Sequence, residues 1–126
     1  MWQRLGGDMV EITGSGDCGN SPKNQFAQDV AVALETGRIA PGMLSEAVSW
    51  SGPGEVRAEG IEAVRQALQE RPEVSAIVIE HAISHGRVGM ANGVTVLRDG
   101  RRRRFSHVFE FTSTKAACVA AISSYG

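Results

Sequence analysis

The stretch that decides the fold is FSHVFEF, residues 105–111. Its side chains alternate, so that one face carries Phe105, His107, Phe109 and Phe111. A period of two residues is typical of a β-strand that packs one face against a core. A titratable imidazole among aromatic rings is either a hydrogen-bonded core residue or a chemically active group in a pocket. The rest of the sequence has to decide between these two interpretations.

The composition is that of an ordinary globular domain. The chain has 126 residues, of which 42% are hydrophobic and 21% charged, with a net charge of -1. This length is enough for one core, and the small net charge gives no reason to expect nucleic acid or a membrane as partner. No apolar run reaches the roughly 18 residues of a membrane span. Cys18 and Cys118 form no CxxC motif, so we expect a reduced, cytoplasmic protein without a metal site.

Residues 1–21 are predicted to be a glycine-rich leader, and residues 22–126 a single domain. Residues 14–19, GSGDCG, match the GxGxxG pattern of dinucleotide-binding loops. The match is weak, because Ser21 and Pro22 intervene before the helix and no alternating βαβ pattern follows. We therefore expect no nucleotide and no other cofactor.

The first helix is predicted from Pro22 to Thr36. Ser21 is suited to cap its start, and Gly37 can take the left-handed conformation that ends many helices. Its apolar stripe consists of Phe26, Val30 and Leu34, with Ala27 and Ala31 beside them. A short second helix at 39–46 and a third at 60–71 complete the prediction of three helices.

Beyond Pro72 the hydrophobic period changes to two, which predicts long strands at 74–84, 88–97, 101–112 and 114–125. The hairpin signal at Asp99 and Gly100 supports an antiparallel order. Helices followed by strands in hairpin order predict an α+β fold. The inward side chains predicted on the first two of these strands are Ile77, Ile79, His81, Ile83, Val88, Met90, Asn92, Val94 and Val96.

The order of these motifs resembles the nuclear transport factor 2-like superfamily, also called SnoaL-like. The segments that carry the resemblance are 34–37 (LETG), 43–44 (ML), 48–50 (VSW), 52–54 (GPG), 60–64 (GIEAV), 107–111 (HVFEF) and 122–125 (ISSY). The resemblance implies a cystatin-like cone, in which a curved antiparallel sheet wraps over three helices around an apolar cavity. It also implies a homodimer. Because members of this superfamily include isomerases, cyclases, dehydratases and proteins without chemistry, the fold alone does not decide the function.

The resemblance also bears on individual residues. His107 matches the position at which the ketosteroid isomerases carry an acid that donates a hydrogen bond to an oxyanion. Trp50 is the nearest match to their catalytic base, and an indole cannot abstract a proton, which argues against isomerase chemistry. His107 is therefore the tentative catalytic residue, expected to be neutral at pH 7. The predicted ligand-binding residues are Trp50, Met90, Asn92, Arg103, Phe105, His107 and Phe109.

Three functions stay open at this point. The first is a protein that binds a small apolar or weakly acidic molecule, with Arg103 holding an acidic group. The second is an isomerase, cyclase or dehydratase that uses His107 as acid or base. The third is a dimerisation module with a filled cavity. A homodimer through the sheet is expected because Val108 points outward with Ser106, and exposed apolar residues often mark a partner surface.

Overall fold

A computed structural model describes residues 2–5, 8–54 and 56–126. These residues form two helices and eight strands. The strands are β1 (Trp2–Leu5), β2 (Asp8–Thr13), β3 (Leu44–Ser51), β4 (Arg57–Glu59), β5 (Val74–His85), β6 (Val88–Leu97), β7 (Arg102–Phe111) and β8 (Val119–Tyr125). The helices are α1 (Pro22–Thr36) and α2 (Ile61–Gln69). No helix in these described ranges is long and apolar enough to cross a membrane.

One mixed sheet contains all eight strands, in the order β1-β2-β5-β6-β7-β8-β3-β4. The pairs β5–β6, β6–β7 and β7–β8 are antiparallel, as hairpin order requires. The pairs β2–β5 and β3–β8 are parallel, so the prediction of a purely antiparallel sheet was wrong at these two places. Helix α1 lies against β5 and β6, whereas α2 lies against β3 and β4.

Helix α1 has the predicted bounds and caps. The Ser21 hydroxyl accepts a hydrogen bond from the backbone N–H of Asn24, and Gly37 adopts the left-handed conformation. The short helix predicted at 39–46 is absent from these described residues. The chain there turns through Gly42, whose φ is 79°, and then enters β3 directly. Two helices therefore replace the predicted three.

The described residues of the predicted leader, 2–5 and 8–21, include two strands of the sheet. Strand β2 pairs with β5, and it buries Val10 and Ile12 in the common core. Beyond the end of β2, the Asp17 carboxylate accepts a hydrogen bond from the backbone N–H of Ala82 at 3.0 Å. The sheet thus includes strands from before residue 22, because β5 offers a free edge that needs hydrogen-bond partners.

The aromatic face of β7 was predicted correctly. Phe105, His107, Phe109 and Phe111 are all buried, and their rings follow one another along the strand with centroid distances of 5.2, 6.2 and 6.5 Å. They form the wall against which the rest of the core packs. Partners from the helices include Val30, Leu34, Val64 and Leu68.

The inward faces of β5 and β6 differ from the prediction. In β5 the pairing shifts between Ile79 and His81, so Ala82 becomes buried while His81 and Ile83 are exposed. One extra residue in a strand reverses the direction of every later side chain. In β6 the buried positions are Gly89, Ala91, Gly93, Val94, Thr95 and Leu97. The predicted inward residues Met90 and Asn92 therefore lie on the opposite face of β6.

Candidate functional site

A buried carboxylate and a buried imidazole meet where the last turn of α1 faces β7. Glu35 and His107 are each 1% exposed, and Oε2 of Glu35 lies 2.8 Å from Nε2 of His107. Glu35 reaches this position because it follows Ala27 and Ala31 at intervals of four residues on the buried side of α1. The site thus joins the first helix to the aromatic strand.

Three further side chains surround the Glu35 carboxylate. The Thr95 hydroxyl donates to Oε1 at 2.9 Å, and Nη2 of Arg103 donates to the same oxygen at 3.0 Å. Nη1 of Arg71 lies 3.9 Å from Oε2. A buried charge is tolerated only when it is paired and hydrogen-bonded, and Glu35 meets both conditions.

These contacts set the ionisation of the carboxyl group. Burial by itself raises the pKa of Glu35, but the hydrogen bond from His107 and the charges of His107, Arg71 and Arg103 outweigh it. Together they lower the pKa of Glu35 from 4.5 to about 2. Glu35 is therefore ionised at neutral pH. Burial also lowers the pKa of Arg71, while Glu35 opposes that effect.

The hydrogen bonds form a chain from Trp50 through Ser124 and His107 to Glu35, and the groups at its two ends determine the direction of these bonds. Trp50 Nε1 is a donor only, and it donates to the Ser124 hydroxyl at 2.8 Å. The ionised Glu35 is an acceptor only, so His107 donates to it from Nε2. Ser124 Oγ lies 2.7 Å from Nδ1 of His107. Each polar group of this network therefore has a hydrogen-bond partner.

A pocket of about 280 Å³ opens beside this network. Its deep wall contains Glu35, His107 and Ser124, and charged side chains stand among the other lining residues. The lining residues other than Glu35, His107 and Ser124 are Pro53, Arg71, Arg103, Arg104, Phe105, Tyr125 and Gly126. The lining thus combines charged side chains with the apolar surfaces of Pro53, Phe105 and Tyr125.

The other large clefts differ in chemistry. Clefts of about 380 and 470 Å³ lie beside the helices, and neither is lined by Glu35 or His107. We therefore regard the 280 Å³ pocket as the candidate site, because perturbed ionisable groups in a cleft are typical of functional sites.

The charges beside the pocket do not cancel. The side chain of Arg71 is 17% exposed and that of Arg103 is 34% exposed, while Glu35 is the carboxylate that they share. The Arg71 guanidinium also lies 5.4 Å from the centre of the Trp50 ring, which fixes its position. Two guanidinium groups on one carboxylate leave one positive charge in excess. This surplus attracts an anion.

The structure brings some of the predicted ligand-binding residues together. Arg103, Phe105 and His107 line the pocket. Phe109 is fully buried in the core beneath them, and Trp50 is 5% exposed and reaches the site through its bond to Ser124. Both ring nitrogens of His107 are hydrogen-bonded to protein groups, so the ring forms a hydrogen bond to a ligand only by exchanging one of these bonds.

Two predicted ligand-binding residues, Met90 and Asn92, lie away from the pocket. Both are half-buried and stand on the face of β6 that is turned away from Thr95. The residues that sequence reasoning missed are Glu35, Arg71, Thr95 and Ser124. For Ser124 the sequence contained a signal, because Ser124 is two residues from Ile122 and so lies on the same buried face of β8. In the structure it is paired with His107 on the neighbouring strand.

Comparison with known proteins identifies the fold. No protein-family model and no curated protein matches the chain. Among solved structures, a nuclear transport factor 2-like protein of unknown function from Burkholderia xenovorans matches with a TM-score of 0.66 and 14% identity, over 82% of this chain and 81% of that chain. The chain therefore has the nuclear transport factor 2-like fold.

Two other similar structures carry functional descriptions. A candidate ketosteroid isomerase from Kribbella flavida matches with a TM-score of 0.66 and 18% identity, over 81% of this chain and 75% of that chain. A candidate SnoaL-like polyketide cyclase from Mesorhizobium loti matches with a TM-score of 0.61 and 17% identity, over 81% and 97% of the two chains. At such identities the likeness establishes the fold and not the reaction.

Proposed function

We propose that the protein binds a small organic anion in the pocket beside Glu35. The observation that carries this proposal is the pair of guanidinium groups, from Arg71 and Arg103, on a single buried carboxylate. A ligand carboxylate would contact the exposed part of Arg103, and its apolar body would lie on Phe105. Guanidinium groups suit this role because they bind carboxylates through paired, charge-assisted hydrogen bonds.

The volume of the pocket limits the size of the ligand that it can hold. At about 280 Å³ the pocket lies just below the usual range for small-molecule sites. Phe109 and Trp50 already fill the space further inside the core. A single aromatic or short aliphatic acid fits this description better than a steroid-sized molecule.

A titration with matched ligands tests the proposal. Benzoate and benzamide have the same apolar ring but differ in charge, so benzoate is expected to bind more tightly. Arg103→Gln should weaken benzoate binding by roughly tenfold to a hundredfold, as expected when a charged hydrogen bond is lost. Arg102→Gln is the control, since Arg102 is exposed on the same strand and does not line the pocket. Equal binding of the two ligands, or equal effects of the two variants, would refute the proposal.

A second candidate function is an enzyme in which His107 takes part in proton transfer. The observation that favours it is the Glu35 carboxylate on Nε2 of His107, because a carboxylate in this position orients an imidazole and stabilises its protonated form. The other ring nitrogen faces Ser124, so a proton reaches the ring by way of that hydroxyl.

We also propose that two copies of the chain associate through the outer face of the sheet. Val108 and Met90 are opposite each other on this face, and both are half-buried. Sedimentation at micromolar concentration should show a dimer, and Val108→Glu should convert it to a monomer. A monomeric parent protein would contradict this proposal.

A further inference from the structure

The deep wall of the pocket contains a serine, a histidine and a glutamate in one line of hydrogen bonds. Ser124 Oγ lies 2.7 Å from Nδ1 of His107, and the other ring nitrogen lies 2.8 Å from Oε2 of Glu35. The three residues come from β8, β7 and α1, which meet at this point. A nucleophile, a base and a group that orients the base are recognised by such geometry, whatever their order in the chain.

The hydrogen bonds of the imidazole suit this arrangement. Nε2 of His107 lies 2.8 Å from Glu35, and in the tautomer that carries its proton there, Nδ1 accepts the proton of Ser124 at 2.7 Å. Ser124 Oγ also accepts a hydrogen bond from Trp50 at 2.8 Å, which holds the oxygen in place. These two bonds use one proton and one lone pair of the hydroxyl. Its second lone pair remains available, and Ser124 lines the pocket.

We propose that Ser124 is a nucleophile activated by His107, and that the pocket hydrolyses small carboxylic esters. Oγ of Ser124 attacks the carbonyl carbon of the ester while its proton passes to Nδ1 of His107. The bond from that carbon to the alcohol oxygen breaks, and His107 returns the proton to the departing alcohol. Water then attacks the acyl-serine, its proton passing through His107 to Ser124, and the acid leaves. The net reaction converts ester and water into acid and alcohol.

The surroundings of Ser124 supply the other requirements of this reaction. Arg71 and Arg103 line the same pocket as Ser124 and supply positive charge there. Such charge stabilises the oxyanion that develops when Oγ attacks. Glu35 is a positioning residue, because it contacts His107 and not the ester. The choice of substrate rests on the proposed anion pocket, so esters with a second, free carboxylate are expected to react fastest.

A probe of serine nucleophilicity tests the central step in the wild-type protein. A neutral fluorophosphonate should form one covalent adduct, and peptide mass spectrometry should place it on Ser124. Ser124→Ala should abolish the adduct, and His107→Asn should slow its formation by on the order of a hundredfold or more. Ser123→Ala is the control, because Ser123 points to the other face of β8. No adduct, or an adduct that persists in Ser124→Ala, overturns the proposal.

Hydrolysis separates this inference from the proposed anion site. p-Nitrophenyl acetate and p-nitrophenyl hemisuccinate share a leaving group, but only the second carries a free carboxylate. A higher kcat/KM for the hemisuccinate that falls in Arg103→Gln supports both proposals. Hydrolysis without such a preference supports the nucleophile and contradicts the anion site. Binding of benzoate without any hydrolysis or adduct supports the anion site and overturns the nucleophile.

Discussion

The acid stability of the protein should depend on Glu35. The pKa of this carboxyl is lowered from 4.5 to about 2 in the folded protein, so the group binds its proton less readily when folded than when unfolded. At about 1.4 kcal/mol for each pKa unit, this difference corresponds to about 3 kcal/mol. The sign follows from linkage: the stabilisation is complete above pH 4.5 and is lost as the pH falls towards 2.

Replacing Glu35 by Gln removes the charge and keeps the shape of the side chain. At pH 7 this substitution leaves Arg71 and Arg103 beside an uncharged amide, and it should cost about 3 kcal/mol of unfolding free energy. As the pH falls, the wild-type carboxyl takes up its proton and comes to resemble the amide. The difference in stability between the two proteins should therefore shrink across the interval from 4.5 to 2.

Urea unfolding at a series of pH values measures this difference directly. Glu80→Gln is the matched control, because Glu80 forms an exposed ion pair with Arg104 at 3.0 Å. Exposed pairs contribute about 0–1 kcal/mol, so the control should stay close to the wild type at every pH. If Glu35→Gln and the wild type differ by the same amount at pH 7 and pH 3, the carboxylate network does not stabilise the fold as reasoned here.

Two further predictions concern stability and the sheet. His107→Phe removes the partner of both Glu35 and Ser124, so it should lower the free energy of unfolding in urea by about 2–3 kcal/mol. The same variant should leave benzoate affinity within about twofold, since both ring nitrogens bond to protein groups, and a tenfold loss would contradict that reasoning. Gly93→Ala would place a Cβ 1.9 Å from the carbonyl oxygen of Val78, so β5 and β6 must separate. It should cost about 1–3 kcal/mol, unlike Gly16→Ala, whose Cβ has no neighbour within 4 Å, and equal effects would contradict this reading.

The sequence contained enough local information to place most of the fold. Strand β7 was assigned to the correct face because four large side chains alternate without interruption over seven residues. Helix α1 was given its correct bounds because Ser21 and Gly37 are strong capping signals. Both predictions rest on interactions between residues that are close in the chain, which a single sequence displays directly.

Local patterns of this kind did not predict which residues of β5 and β6 face the core. Apolar residues occur on both faces of β6, since Val88 is half exposed while its neighbour Gly89 is buried. Glycine at position 89 is needed because an added Cβ would come within 2.5 Å of the Phe111 ring. A glycine that makes room for an aromatic ring on the next strand therefore marks the inward face of β6. Recognising this requires knowing which residues pair across the sheet.

The position of Glu35 follows from a sequence pattern that helical geometry explains. Ala27, Ala31 and Glu35 are separated by four residues, so a carboxylate stands on the same side of α1 as two small apolar residues. A helix that buries this side must supply partners for the charge. The hydrogen-bond partners of Glu35 lie 60 or more residues away, with Thr95 on β6 and His107 on β7. The sequence of the helix thus indicates that a carboxylate is buried and needs partners. Only the folded sheet identifies the groups that pair with it.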